Sequence, residues 1–145
     1  MSDKTAAVTA WEALFRAQVA VFRQLNAEFP TGELSFNEYD VLFNLSRCEG
    51  RQSRIRDLNR NLLLTQPSVS RLIDRLHARG LVSKETDPDD GRGTIVRLTD
   101  EGYDLFRRVA VIHAESIHRR VGAALSDSEL ATLTRLTDKL RRGPE

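Results

Sequence analysis

The 145-residue sequence predicts a single domain that is mainly α-helical, with one small β-hairpin. Three observations predict it. Apolar residues recur at helical spacing over most of the chain. The period changes only after Gly80, where two short β-branched runs flank a turn. Two S-x-x-E capping boxes, Ser35 to Glu38 and Ser126 to Glu129, mark helix starts.

From about Ala6 to Phe29, Trp11, Leu14, Phe15, Gln18, Val21, Phe22, Leu25 and Phe29 fall on one helical face. This long first helix is stopped by Pro30 and Gly32. Ala10, Ala13, Ala17 and Ala20 widen its stripe with small residues, the make-up of a terminal helix that packs against another subunit as well as its own core. The Ser35 box opens a second helix through Tyr39, Val41, Leu42 and Leu45 to about Cys48, ended by Gly50. Ser53 is expected to cap a short third helix, with Ile55 and Leu58 turned inward and Arg54, Arg56 and Arg60 outward. Asn61 to Leu64 then make the turn into a fourth helix.

That fourth helix is the centre of the chain. Val69, Leu72, Ile73 and Leu76 recur at i, i+3, i+4 and i+7, the stripe of an amphipathic helix. Thr65 can cap it, Pro67 sits in the first turn where its missing N–H costs nothing, and Gly80 closes it. Pro67, Ser70, Arg71 and Asp74 lie opposite the stripe, with Arg75 and Ser68 on its flank. Small hydroxyls near the start and arginines along the outer face suit a DNA major groove. Seryl and backbone N–H groups can hold phosphates, and an arginine can pair bidentately with guanine. A surface helix with solvated charges is the plain alternative, and this helix alone does not separate the two. Its neighbours do: two short helices joined by a few residues, the second with a basic polar face, form a helix-turn-helix pattern.

Leu81 to Thr86 and Thr94 to Leu98 read as a hairpin behind this helix, a wing, joined by Asp87-Pro88-Asp89-Asp90-Gly91-Arg92-Gly93. Arg92 at the tip is a suitable probe for a narrow, electronegative minor groove, and pairing to Asp90 could hold the tip in shape. Thr99-Asp100-Glu101 caps a fifth helix with acids in its first turn; Leu105, Phe106, Val109, Ile112, Ile117 and Val121 carry its apolar side to about Ala124. The Ser126 box opens a last helix with Leu130, Leu133, Leu136 and Leu140 at heptad-like spacing. The terminal helices thus carry more apolar surface than one small winged domain covers, and a second copy of the chain is the simplest partner. The expected layout is one domain over 1–145, with dimerisation helices at about 6–34 and 99–142 and a winged helix-turn-helix lobe at about 35–98.

The formal net charge is +1, but it is unevenly spread. Residues 51–84 hold eight Lys or Arg against two Asp or Glu, while residues 1–50 are net acidic. A basic excess of that size in so short a window is the footprint of a phosphate partner. The single cysteine, Cys48, excludes an internal disulfide and fits a reducing compartment. With no apolar run of membrane-spanning length and no signal-peptide pattern, the expected location is the cytoplasm. No cofactor is expected. There is no Ser/His/Asp or Cys/His constellation and no phosphate loop, so an enzyme is not expected. His113 and His118 are five apart and share no helix face, so no metal site is expected either. His77 is expected to be a solvated side chain.

In this order and at these spacings the motifs resemble the MarR (multiple antibiotic resistance regulator) family of bacterial transcription factors, from Trp11 to Leu140. The resemblance rests on Gln66-Pro67-Ser68-Val69-Ser70-Arg71-Leu72-Ile73-Asp74-Arg75-Leu76, then Gly80-Leu81-Val82, the turn Asp87 to Gly93, and Leu98-Thr99-Asp100-Glu101-Gly102. It implies a homodimeric regulator, commonly a repressor, whose first, fifth and sixth helices interlock. Each subunit would set its fourth helix in a major groove and its wing in the adjacent minor groove of a pseudo-palindromic operator. Carried over by position, Gln66, Pro67, Ser68, Ser70, Arg71 and Arg75 would meet double-stranded DNA, and Asp90 and Arg92 match the family's D-x-R wing motif. Gly91 stands where the family commonly has a basic residue.

The resemblance further implies release of DNA by a small phenolic or carboxylate ligand entering between the dimer helices and the winged lobe. Candidate residues are Trp11, Phe15, Arg16, Tyr39, Asp40, Phe43 and His113, aromatic walls with a few polar groups. Asp40 resembles an acidic position in the urate-responsive branch. The aromatic members also sit at helical spacing, as core residues do. A peroxide-sensing thiolate at Cys48 is a further reading, although redox-sensing members place theirs near the first helix. Set against the ligand-responsive regulator is an effector-free architectural or accessory DNA-binding protein, in which those aromatics are core alone.

Overall fold

A computed structural model describes residues 3–62 and 64–144. The helices are α1 (Lys4–Glu28), α2 (Phe36–Arg47), α3 (Ile55–Leu58), α4 (Gln66–Ala78), α5 (Asp100–Ile117) and α6 (Asp127–Arg142). The strands are β1 (Gln52–Arg54), β2 (Val82–Thr86) and β3 (Thr94–Leu98). The fold is mainly α with a small antiparallel wing sheet, as expected. The described residues divide into two compact units, Pro30–Ile112 in one and the flanking terminal segments in the other.

In the unit Pro30–Ile112, local chemistry fixes the start of α2 and the end of α4. Ser35 caps α2 by accepting from the Glu38 N–H, and Glu38 returns the bond to the Ser35 N–H at 2.9 Å. α4 ends in a Schellman turn. Leu81 N–H reaches the Leu76 carbonyl and Gly80 N–H the His77 carbonyl, with Gly80 at φ 75°, a conformation glycine adopts without strain. The stripe Val69, Leu72, Ile73 and Leu76 is buried, together with Val41, Leu42 and Leu45 of α2 and Val96 of β3. At about 1.5–3 kcal/mol per fully buried aliphatic side chain, this core fixes the attitude of α4. Thr99 joins α4 to α5: its hydroxyl donates to the Gly80 carbonyl at 2.8 Å and accepts from the Gly102 N–H at 3.0 Å. A Cβ on Gly102 would run into the Leu81 carbonyl oxygen, so only glycine lets α5 start so close to the wing.

The structure departs from the expected local layout at Ser53, Arg54 and His77. Ser53 does not cap α3. It lies in β1, opposite Val96, and the residue before α3 is Arg54, which makes no side-chain cap. β1 extends the expected hairpin to a three-stranded sheet in the order β1-β3-β2, and Arg54 turns toward the wing rather than outward. His77 is exposed, yet its Nδ1 lies 3.2 Å from the Val82 carbonyl, so it is tied to β2 rather than merely solvated. Leu63, in the expected turn from Asn61 to Leu64, lies outside the described residues.

The other unit comprises the described residues up to Phe29 and from His113 onward. α1 and α6 have no buried side chains in the single chain, and Trp11, Phe15, Phe22, Leu133, Leu136 and Leu140 are exposed. At the end of α1, the Glu28 carboxylate accepts from the Ser116 hydroxyl and from the guanidinium of Arg120, with Arg119 at 3.4 Å. These partners hold the Glu28 carboxyl down at about 2. α5 runs on into a π turn, His118–Gly122, closed by Ala123 N–H to the His118 carbonyl. The Ser126 capping box forms as expected. Among the described residues, no helix is long and apolar enough to cross a membrane.

Candidate nucleic-acid interface

The outer face of α4 is exposed at Gln66, Pro67, Arg71, Asp74 and Arg75, opposite the buried stripe. The Thr65 side chain accepts from the Ser68 N–H at 3.3 Å, and its hydroxyl donates to Ser68 Oγ at 2.9 Å. Arg71 Nη2 donates to that same Ser68 oxygen at 3.3 Å, so the guanidinium leans along the first turn of the helix. Asp74 would put a negative charge on this face, but Lys84 of β2 sits 2.8 Å from its carboxylate and holds the carboxyl below its usual range.

The wing turn is closed on itself. Asp87 N–H bonds the Gly93 carbonyl, Gly93 N–H bonds the Asp90 carbonyl, and Asp87 Oδ1 accepts from the Asp89 N–H at 2.9 Å. Asp90 Oδ1 accepts the backbone N–H of Arg92 at 3.1 Å, while its other oxygen lies 3.9 Å from Arg56. The expected Asp90–Arg92 association is therefore made through the Arg92 backbone. Asp87 is buried, with Arg54 Nε 2.5 Å from its Oδ2 and Arg54 Nη2 3.6 Å from Asp89.

Between the start of α4 and the wing turn lies a polar cleft of about 330 Å³. It is lined by Gln66 and Ser70 from α4, Asp90 and Arg92 from the turn, and Arg54 and Arg56 beside β1. The structure thus brings both halves of the expected interface to one concavity. Pro67, Ser68, Arg71 and Arg75 of α4 do not line it. Arg54 and Arg56 were not among the expected contacts; their signal would have been the pairing of β1 with a strand more than forty residues away.

Most of the basic excess in residues 51–84 is spoken for. Arg54, Arg56, Arg60, Arg79 and Lys84 have carboxylate partners, and Arg51 stacks 3.5 Å over the Tyr103 ring. Among the described Lys and Arg residues of Pro30–Ile112, three have neither a carboxylate within 4 Å nor a ring beneath: Arg71, Arg75 and Arg92. These lie on α4 and at the wing tip.

The expected ligand residues fall in both units. Tyr39 is buried, stacked 5.3 Å from Phe106, with Phe43 6.4 Å away. Asp40, on the same helix, accepts from Asn44 and is held above its usual range by burial. In the other unit, Trp11 and Phe15 are exposed, their rings 5.9 Å apart, and Arg16 is exposed on the same helix. His113 is buried edge-on to Phe29, and burial lowers its pKa. None of the seven lines the apolar groove of about 540 Å³ flanked by Leu14, Val21, Val121 and Leu133. Cys48 donates to the Asn44 carbonyl at 3.3 Å.

Residues 33–93, which include all but Thr94 of the residues lining the cleft, match the sequence model of the MarR family. The multiple antibiotic resistance protein MarR of Salmonella typhimurium is 26% identical over 81% of this chain and 81% of its own length. Among solved structures, PcaV, a transcriptional regulator from Streptomyces coelicolor in complex with its natural ligand, is 28% identical. Its TM-score is 0.71, with 100% of both chains covered. Sco3205, a MarR family transcriptional regulator of the same organism in complex with DNA, shares the fold. It has a TM-score of 0.78 and 24% identity over 99% of this chain and 90% of its own.

Proposed function

We propose that the chain is a member of the MarR family and, on that footing, a sequence-specific, DNA-binding transcriptional regulator acting as a homodimer in the cytoplasm. The observation that carries this reading is the placement of Arg71, Arg75 and Arg92, which have neither a carboxylate nor a ring partner among the described residues, on the outer face of α4 and the wing tip. α4 would enter a major groove, with Gln66, Ser68, Ser70, Arg71 and Arg75 on bases and phosphates, and Arg92 would reach the neighbouring minor groove. The exposed apolar side chains of α1 and α6 support a second copy as the partner. The domain organisation follows: dimerisation helices at about 6–34 and 99–142 around a DNA-binding lobe at about 35–98.

The regulator is proposed to repress and to leave its operator when a small aromatic or phenolic ligand binds. PcaV, solved with its natural ligand, is the support for an effector. The stacking of Tyr39 on Phe106 favours the other reading, an effector-free architectural protein in which these rings are core. A thermal-shift screen of phenolic and carboxylate compounds separates the two, since an effector raises the melting temperature by mass action.

The deciding experiment is a fluorescence-anisotropy titration against DNA upstream of the chain's own gene and against scrambled DNA, at two salt concentrations. Dimer-stoichiometric, salt-dependent binding that prefers the native sequence is expected. Equal, weak binding to both, with no preferred duplex selected from a random library, would overturn the regulator reading.

A further inference from the structure

The acidic wing turn and the buried Asp87 within it are the feature the DNA-contact assignment leaves unused. Asp87, Asp89 and Asp90 stand beside Arg92 in a segment expected to approach phosphates. Left bare, such a turn would be repelled by DNA. Arg54 and Arg56, delivered by β1 and the start of α3, face these acids. The Arg54–Asp87 pair is the innermost: the Asp87 side chain is 1% exposed and that of Arg54 34%. Because Asp87 bonds Gly93 through its backbone and Asp89 through its carboxylate, whatever holds Asp87 holds the whole turn, Arg92 included.

We propose that Arg54 is a positioning residue of the DNA interface: by clamping Asp87 it sets Arg92 at a fixed offset from α4. Arg54 itself need not touch DNA. The proposal rests on the DNA-binding reading above and names the element that would fix the spacing between its two readers. Removing Arg54 leaves the buried Asp87 carboxylate uncompensated, and removing the Asp87 charge releases Arg54 from the turn, so losing either residue loosens it.

The test uses Arg54→Gln and Asp87→Asn in the full-length chain, with and without Arg92→Ala, on a duplex that the wild-type protein selects from a random library. Asp87→Asn is the sharper variant because it makes the protein more positive. Simple electrostatics then predicts tighter binding; loss of a clamp predicts weaker binding, by roughly tenfold. Expected are weaker binding by both variants in the otherwise wild-type chain and no added loss in the Arg92→Ala background. Hydrogen exchange in the free protein should also speed up at residues 87–93. Tighter or unchanged binding by Asp87→Asn overturns the proposal. So does an Arg54→Gln loss that persists without Arg92 and flattens the salt dependence, the mark of a direct phosphate contact. Should the wild-type chain select no duplex, the positioning role falls with the regulator reading, and the exchange data identify whether the clamp itself was real.

Discussion

Lys84 of β2 reaches across to α4 and places its ammonium 2.8 Å from the Asp74 carboxylate. The pair cancels the acidic charge on the helix face that carries Arg71 and Arg75. Lys84→Met should therefore weaken DNA binding and Asp74→Asn should strengthen it, both effects shrinking as salt rises. Anisotropy titrations at two ionic strengths check this; the opposite order of affinities would mean that this face points away from DNA.

Arg71 and Arg92 should differ in kind. Arg71→Ala is expected to cost about 1–3 kcal/mol of binding and to relax base preference at one operator position. Arg92→Ala should lose most affinity on operators with A·T-rich flanks, where the minor groove is narrow. Binding-site selection on both variants reads this out, and wild-type behaviour by both would remove the groove assignment.

Gly91 is exposed, and a Cβ there would meet nothing within 4 Å. Gly91→Lys should fit without strain and tighten DNA binding, adding up to about one unit to the logarithmic salt slope. An unchanged slope would show that the wing tip stays clear of phosphate.

Glu28 gives the other unit a pH signature. Its carboxyl sits at about 2 when folded against an ordinary 4.5, so its contribution to stability is complete above 4.5 and is lost as pH falls toward 2. Glu28→Gln should be less stable than wild type at pH 7 in urea unfolding, with the gap closing between pH 4.5 and 2. A gap that stayed constant with pH would mean that the Ser116 and Arg120 bonds add nothing.

Leu136 is 49% exposed on α6. If the terminal helices form a dimer core, Leu136→Glu should yield monomers or aggregate in sedimentation velocity. An intact dimer would place the subunit interface elsewhere.

What was legible in the sequence was what depends on near neighbours. The Ser35 and Ser126 boxes, Thr65 and Gly80 satisfy helix-end groups within a few residues, and Pro67 removes one, so their roles follow from spacing. The α4 stripe was equally readable. Ser53 was misread because its side chain suits a cap, yet the residue joins β1, whose partner strand is distant in sequence. The same distance hid Arg54, since nothing local announces that Asp87 will fold back onto it. The basic window was real, but net charge does not reveal pairing, and Arg79 with Glu38 is one example of how it overcounts free cations. The π turn at His118–Gly122 has no local signature in the sequence, and ligand residues at helical spacing are not distinguished from core by pattern.

The pairing of Gln52 with Arg97 spans 45 residues, whereas β2 and β3 are joined by a seven-residue turn. Closing the longer loop is entropically dearer, so the hairpin should nucleate early and β1 should zip on late. The last strand to arrive brings the arginine that organises the wing tip. A newly made chain would then pass through a state with a formed helix-turn-helix and an untethered wing, and local opening of the mature protein should begin by peeling off the same three residues.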